Sequence, residues 1–319
     1  MDLLELNILK KIEPVYKKSF VITFLIAIIV YFTMISNLFW GNHDWESIQR
    51  EINALECLYI GRFSVTWLQS LFGFKLIPYI NYILFIALSI ISTLLISNYW
   101  KIEKNSKILI FFSSFWILSL SSLTIMYYRC ISLNFIFGFL SIILSILLSL
   151  KVNSTDIKKR VLLLFLSYIL LFVFVFGAYP PLINSILVLL GGKFLIDFKI
   201  SNFKLDTVKN FLVEHKYFFL VLLLAVISNF LSIHILNLLG YLSPDAYNVA
   251  LISYNDISSQ LILLFKHSIE ALFYPFPFVS TYVKILEFLI VLIAIGYYIY
   301  SIFKTSDYKL INKVFYSIF

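Results

Sequence analysis

Eight runs of mostly apolar residues divide this chain, at 20–39, 76–98, 108–126, 131–150, 161–178, 181–198, 217–239 and 281–303. Each is close to the length of about 20 residues that a helix needs to cross the hydrocarbon core of a bilayer. Backbone groups in hydrocarbon find no water to bond, so such runs fold as helices that satisfy their own N–H and C=O groups. The chain therefore reads as all-α, a polytopic transmembrane helix bundle of about eight spans, forming one integral-membrane domain over residues 1–319. Charged residues make up 13% and hydrophobic ones 61%. That is too little charge to cover the water-facing surface of an ordinary soluble domain.

The lysines and arginines orient the bundle, because short cytoplasmic loops collect them. With the N-terminus inside, nineteen of the 25 basic residues lie inside, in the N-terminal tail, the even-to-odd connections and the C-terminal tail. Arg50, Arg62, Lys75, Arg129, Lys266 and Lys284 are left outside. The reverse orientation would leave six inside and nineteen outside, just over threefold against the rule, so both termini are expected in the cytoplasm. The net charge of +8 follows from this asymmetry and from anionic inner-leaflet lipid. It gives no indication of nucleic acid, and no nucleic-acid motif is present. The first run has no small-residue cleavage site and reads as a retained anchor. Cys57 and Cys130 both fall on the outer side, where a bridge is chemically allowed; two buried small apolar side chains are the alternative.

The connection after the first run, residues 41–75, carries an unusual load. Trp40-Gly41-Asn42-His43-Asp44-Trp45-Glu46 leads to Gln49-Arg50-Glu51, Glu56 and Gly61-Arg62-Phe63. Trp45, Ile48, Ile52, Leu55 and Tyr59 recur every three or four residues, with Glu46, Gln49, Arg50 and Asn53 opposite, the spacing of an amphipathic interfacial helix. A second outer segment, 240–280, turns at Ser243-Pro244-Asp245, is amphipathic from 257 to 271, and ends in Phe273-Tyr274-Pro275-Phe276-Pro277-Phe278. Two prolines and four aromatics there suit a kinked loop at membrane level.

A hydroxyl attacking an activated sugar carbon needs a general base, and a departing phosphate needs cations or donors. Asp44, Glu46 and Glu51 are the candidate catalytic carboxylates, and Arg50, Arg62 and Arg129 the candidate phosphate ligands, since guanidinium suits bidentate phosphate recognition. The bland uses are plain. Asp44 would also serve as a helix N-cap, Glu46 and Glu51 would also pair with Arg50, and Arg62 would also snorkel to the headgroups. Trp40, Trp45 and Tyr179 are candidate platforms for a sugar ring, with interfacial anchoring as the default for each. His43 beside Asp44 admits a divalent cation, but the donors have no ligand spacing, so no metal or other cofactor is expected. Asn229, His234 and Asn237 in the seventh run suit interhelical hydrogen bonds, and the serines of the third run suit close helix packing.

His43-Asp44-Trp45, Arg50, Tyr59 and Gly61-Arg62-Phe63, followed by Tyr127-Tyr128-Arg129 and Gly177-Ala178-Tyr179-Pro180, resemble the bacterial glucosyl transferase family II over roughly residues 15–200. Those are integral-membrane enzymes that glucosylate O-antigen or related surface polysaccharide. Where members often carry two adjacent acids, this chain has His43-Asp44, and it is shorter than many relatives. The resemblance implies a C-type glycosyltransferase fold in the bacterial cytoplasmic membrane, a polyprenyl-phosphate sugar donor in the outer leaflet, a glycan acceptor, and Asp44 as base. Two rival readings share the outer charges: a flippase or transporter of lipid-linked sugars, and a polysaccharide polymerase or ligase. A transporter should carry charges deep in its spans, whereas Lys193, Asp197, Lys284 and Glu287 fall toward span ends.

Overall fold

A computed structural model describes residues 13–36, 78–102, 104–119, 129–178, 182–201 and 206–241, with helical residues also at 289, 292, 293, 296 and 297. Among the described residues the chain is helical apart from short connections and contains no strand. The helices are α1 (Pro14–Ser36), α2 (Pro78–Tyr99), α3 (Ser106–Ile117), α4 (Arg129–Lys151), α5 (Ile157–Ile169, continuing as a π-helical segment Leu170–Phe176), α6 (Ile183–Ile200) and α7 (Asp206–Leu238). Outer segments 41–75 and 240–280, and nearly all of the eighth apolar run, lie outside the described residues.

Among the described residues, five helices are long and apolar enough to cross a membrane: Pro14–Phe32, Ile80–Tyr99, Leu133–Lys151, Ile157–Phe176 and Asp206–Leu238. The distribution of side chains fits that use. Ile29, Phe32, Phe111, Leu187 and Leu238 face outward, while Ser19, Thr23, Ser89, Ser92, Thr93, Ser97, Ser113, Ser145, Ser149 and Ser167 are buried. Apolar groups outside and small hydroxyls between helices is the arrangement favoured in lipid, where close backbone approach drives association.

Four boundaries differ from the sequence expectation. The first helix starts at Pro14, not at 20, because proline fits a first helical position. It carries Lys17 and Lys18 with it. The third run gives α3, whose twelve residues end at Ile117, where the Leu118 N–H bonds the Ser114 carbonyl and the Ser119 N–H that of Trp116. The sixth, α6, runs from Ile183 to Ile200, two residues later at each end, and so takes in Lys199 beside Lys193 and Asp197, which the run already held. The seventh run is preceded by eleven more helical residues: Thr207, Phe211, His215 and Phe218 form one buried face at helical spacing.

The chain divides into two compact units. The first, Met1–Phe194 with Asn210–Asn248, contains the bundle core. There α1, α2 and α3 pack on one another, α2 packs on α4, and α4 packs on α5 and its π segment. Glu13 pairs with Lys104 at 2.5 Å, and Tyr31 bonds Ile117. These two contacts ascend together, so α1 and α3 run parallel. Ser145 and Ser149 hydroxyls meet that of Ser167 at 2.6 and 2.9 Å, and Gly138 lies against Phe174. These contacts descend against each other, so α4 and α5 are antiparallel. In the second unit, Leu195–Lys209 with Val249–Phe319, the Ser201 and Thr207 hydroxyls meet at 2.6 Å.

Candidate functional site

Two places in the described structure hold unusual backbone or buried charge. One is the end of the bundle where the sequence places its outer chemistry. Helix α3 stops at Ile117, and the neighbouring Trp116 ring stacks on Phe139 at 5.3 Å. The π segment ends with the Gly177 N–H bonding the Phe172 carbonyl, and Leu182, just before α6, reaches Gly138. Both helix ends therefore lie level with residues 138–139 of α4. Helix α4 continues nine or ten residues further, about 15 Å at the usual rise, to its first residue, Arg129. From Lys104 up to Ile117 is about 20 Å, so these backbone breaks sit at membrane depth. Non-helical backbone is tolerated there only where protein or a polar cavity covers it. Ile117, Phe176, Ala178 and Leu182 are all buried.

Two residues accommodate the breaks. Tyr31 donates its hydroxyl to the Ile117 carbonyl at 2.5 Å, satisfying an acceptor that the end of α3 leaves open. At Gly138 an added Cβ would stand 2.7 Å from the Phe174 carbonyl oxygen and 2.4 Å from Leu182 Cδ1. Only glycine lets α4 approach the widened π turn this closely. Such turns occur often at functional sites.

The second place is the opposite, lysine-rich end. His215 is 1% exposed and Lys193 is 1% exposed. The His215 Nδ1 lies 2.9 Å from the Phe211 carbonyl, and its Nε2 lies 2.7 Å from the Tyr99 hydroxyl. A carbonyl only accepts, so Nδ1 carries a proton, and the Tyr99 hydroxyl is the partner of Nε2. Lys193 Nζ stands 6.0 Å from the centre of the Tyr99 ring. Next to Tyr99, the Trp100 indole N–H donates to the Leu189 carbonyl at 3.0 Å and its ring covers Gly192, where a Cβ would lie 2.5 Å from Cζ2. This cluster joins α2, α6 and α7.

Of the residues chosen from sequence, Arg129 is placed as the first residue of α4. Trp40, Asp44, Trp45, Glu46, Arg50, Glu51, Arg62 and Tyr179 lie outside the described residues, as do His43 and Cys57. Gly177 and Ala178 of that motif follow the π segment, and Ala178 and Leu182 are buried. Lys193, read from sequence as a span-end charge, is enclosed by protein. His215 was passed over because residues 199–216 read as a connection; the period of four through Thr207, Phe211 and His215 is the signal that would have found it. Compared with protein-family models, with curated proteins and with solved structures, the chain has no match.

Proposed function

We propose that this chain is a membrane glycosyltransferase that moves a hexose, glucose by its resemblance to glucosyl transferase family II, from polyprenyl phosphate to a cell-surface glycan such as O-antigen. The work would be done on the outer side of the bacterial cytoplasmic membrane, with both termini inside. The observation that carries this reading is the cluster of Asp44, Glu46 and Glu51 with Arg50 and Arg62 in the connection directly after the first span. It gains support from two helix ends at membrane depth beneath Arg129, with Gly177 and Ala178 of one resembling motif following the second. A lipid-borne sugar phosphate needs polar backbone and cations at that depth, and a broken helix supplies the first.

In this reading the Asp44 carboxylate takes the proton from the acceptor hydroxyl as its oxygen attacks the anomeric carbon. The bond from that carbon to the phosphate oxygen breaks, and Arg62, Arg129 and Arg50 hold the released polyprenyl phosphate. Glu46 and Glu51 assist, and Trp40, Trp45 and Tyr179 stack on the sugar. No metal takes part in this scheme.

The transporter reading draws on one observation, the enclosed Lys193 and His215. Both lie level with the last residue of α2, at the lysine-rich end, so they do not line a route through the middle of the bundle. The test is transfer of labelled glucose from synthetic polyprenyl phosphate glucose to cell-envelope glycan by membranes bearing wild-type protein or Asp44→Asn. Label transferred by wild type and lost in the variant supports the reading. Full transfer by Asp44→Asn at normal protein level removes the base assignment, and no transfer by folded wild type favours transport.

A further inference from the structure

We propose that α1 and α3 hold a buried water-binding site between Thr23 and Ser113, one helical turn below the end of α3. Among the described residues, the buried hydroxyls without a hydrogen-bond partner are those of Thr23, Ser92, Ser113 and Ser114, and all four belong to α1, α2 or α3. Helical serines and threonines commonly donate to the carbonyl three or four residues back. Ser19 does so to Val15 at 2.7 Å, Thr93 to Ile90 at 2.8 Å and Ser97 to Leu94 at 2.7 Å. Ser145, Ser149 and Ser167 satisfy one another across the interface of α4 and α5. Thr23 and Ser113 are fully buried and use neither solution. Nearly all buried polar side-chain atoms have a partner, either protein or ordered water, so hydroxyls that find none in the protein point to water.

The fold brings these two residues onto one seam. The buried face of α1 runs through Ser19, Thr23, Ala27 and Tyr31, and that of α3 through Leu109, Ser113 and Ile117, each at four-residue spacing. The two helices pack on each other, and Tyr31 of the first stripe bonds Ile117 of the second, so the two faces meet. Their depths agree as well. Thr23 is ten residues on from Glu13, Ser113 is nine on from Lys104, and Glu13 pairs with Lys104. At the usual rise both residues stand about 14 Å beyond that pair. The ligand must be small and neutral, because neither α1 from Ser19 to Tyr31 nor α3 from Leu109 to Ile117 carries a charge to balance a buried ion. Each hydroxyl both donates and accepts, and the Ser19 and Leu109 carbonyls one turn back each keep a second lone pair. Water donates and accepts in the same way, and a buried one takes two to four such partners.

Thermal unfolding of the full chain in detergent tests this with Thr23→Val, which keeps the side-chain shape, with Ser113→Ala, and with the double variant. A hydroxyl that holds water is missed when removed, so each single change should lower the midpoint by about 2 °C, the shift for one net hydrogen bond in a chain of this size. The double variant removes both partners of one water, so its midpoint should fall no further than that of either single change. Single changes that leave the midpoint unchanged or raise it mark hydroxyls that were buried unpaired, and they overturn the site. Losses that add in the double variant mark separate partners and also overturn it. A crystal structure of the wild-type chain at about 2 Å resolution distinguishes water from a direct bond: one water should lie within about 3.2 Å of both Thr23 Oγ1 and Ser113 Oγ. Two hydroxyls bonded directly to each other, or no water between them, overturn the proposal. Where a variant does not fold, that structure decides.

Discussion

The Tyr31 hydroxyl lies 2.5 Å from the carbonyl of Ile117, a residue 86 positions further along the chain. This one bond ties α1 to the point where α3 stops and fixes the depth at which the helix ends. Tyr31 is 2% exposed, so neither group has water as an alternative partner. Tyr31→Phe removes the donor, keeps the ring and leaves a buried acceptor unpaired. The expected loss is about 1 to 2 kcal/mol, the range for an orphaned buried group. Thermal unfolding in detergent should show it, and an unchanged midpoint would mean that the carbonyl finds another donor.

Gly138 is the second point at which the break depends on one residue. Its missing side chain makes room for the Phe174 carbonyl at 2.7 Å and for Leu182. Backbone cannot rotate aside as a side-chain tip can, so Gly138→Ala must push α4 away from the π segment. Overpacking of this kind costs about 1 to 3 kcal/mol. Gly191, where an added Cβ meets nothing within 4 Å, is the control. Gly191→Ala should leave the unfolding midpoint unchanged or raise it, and equal losses at both positions would remove the close-approach argument.

Much of the bundle was legible because hydrocarbon leaves a chain few choices. The runs that became α2 and α4 were read to within a few residues, since apolar length alone defines them. Where other forces decide, the reading failed in identifiable ways. Composition continues apolar past Ile117, and nothing in Leu118-Ser119-Leu120 marks an ending that a tyrosine on another helix stabilises. The π turn at Leu170–Phe176 has no local signature among seven apolar residues. The early start of α7 was hidden because Lys209, Glu214 and Lys216 suggested a loop, although they sit on the exposed side of a helix whose other side is buried. The outer residues were chosen by chemistry and resemblance. Of the candidate catalytic, phosphate-binding and sugar-platform residues, Arg129 alone lies among the described residues, as the residue that opens α4.

The Glu13–Lys104 pair joins the start of α1 to the α2–α3 connection at 2.5 Å. Hydrogen bonding to Glu13 and its negative charge raise the Lys104 ammonium above its ordinary value of 10.5. A raised lysine contributes stability below the unfolded value, and that contribution is lost as pH rises through the folded one. Both side chains are about half exposed, so solvent and salt screen the interaction. Lys104→Met should lower the unfolding midpoint slightly at neutral pH and low salt, with the difference vanishing in about 1 M salt, where the Debye length is about 3 Å. A difference that persists undiminished at high salt would show that the lysine stem acts by packing, not by charge.

Arg129 separates a phosphate ligand from a membrane anchor. It stands about 15 Å beyond the level at which α3 and the π segment end, where a lipid-borne phosphate would meet the broken backbone. A guanidinium holding the departing phosphate makes two parallel bonds that strengthen as charge develops on the leaving oxygen. Arg129→Lys keeps the charge and loses the fork, and Arg129→Ala loses both. Hydrogen bonds to charged groups are worth about 1.5 to 3 kcal/mol, so kcat for hexose transfer should fall about tenfold to a hundredfold in the alanine variant, and less in the lysine variant. Because the interaction grows in the transition state, kcat and kcat/KM should fall together. An anchor that only snorkels to the headgroups would be replaced by lysine without loss. Equal activity of Arg129→Lys and wild type would therefore take the residue out of the reaction and leave it at the interface.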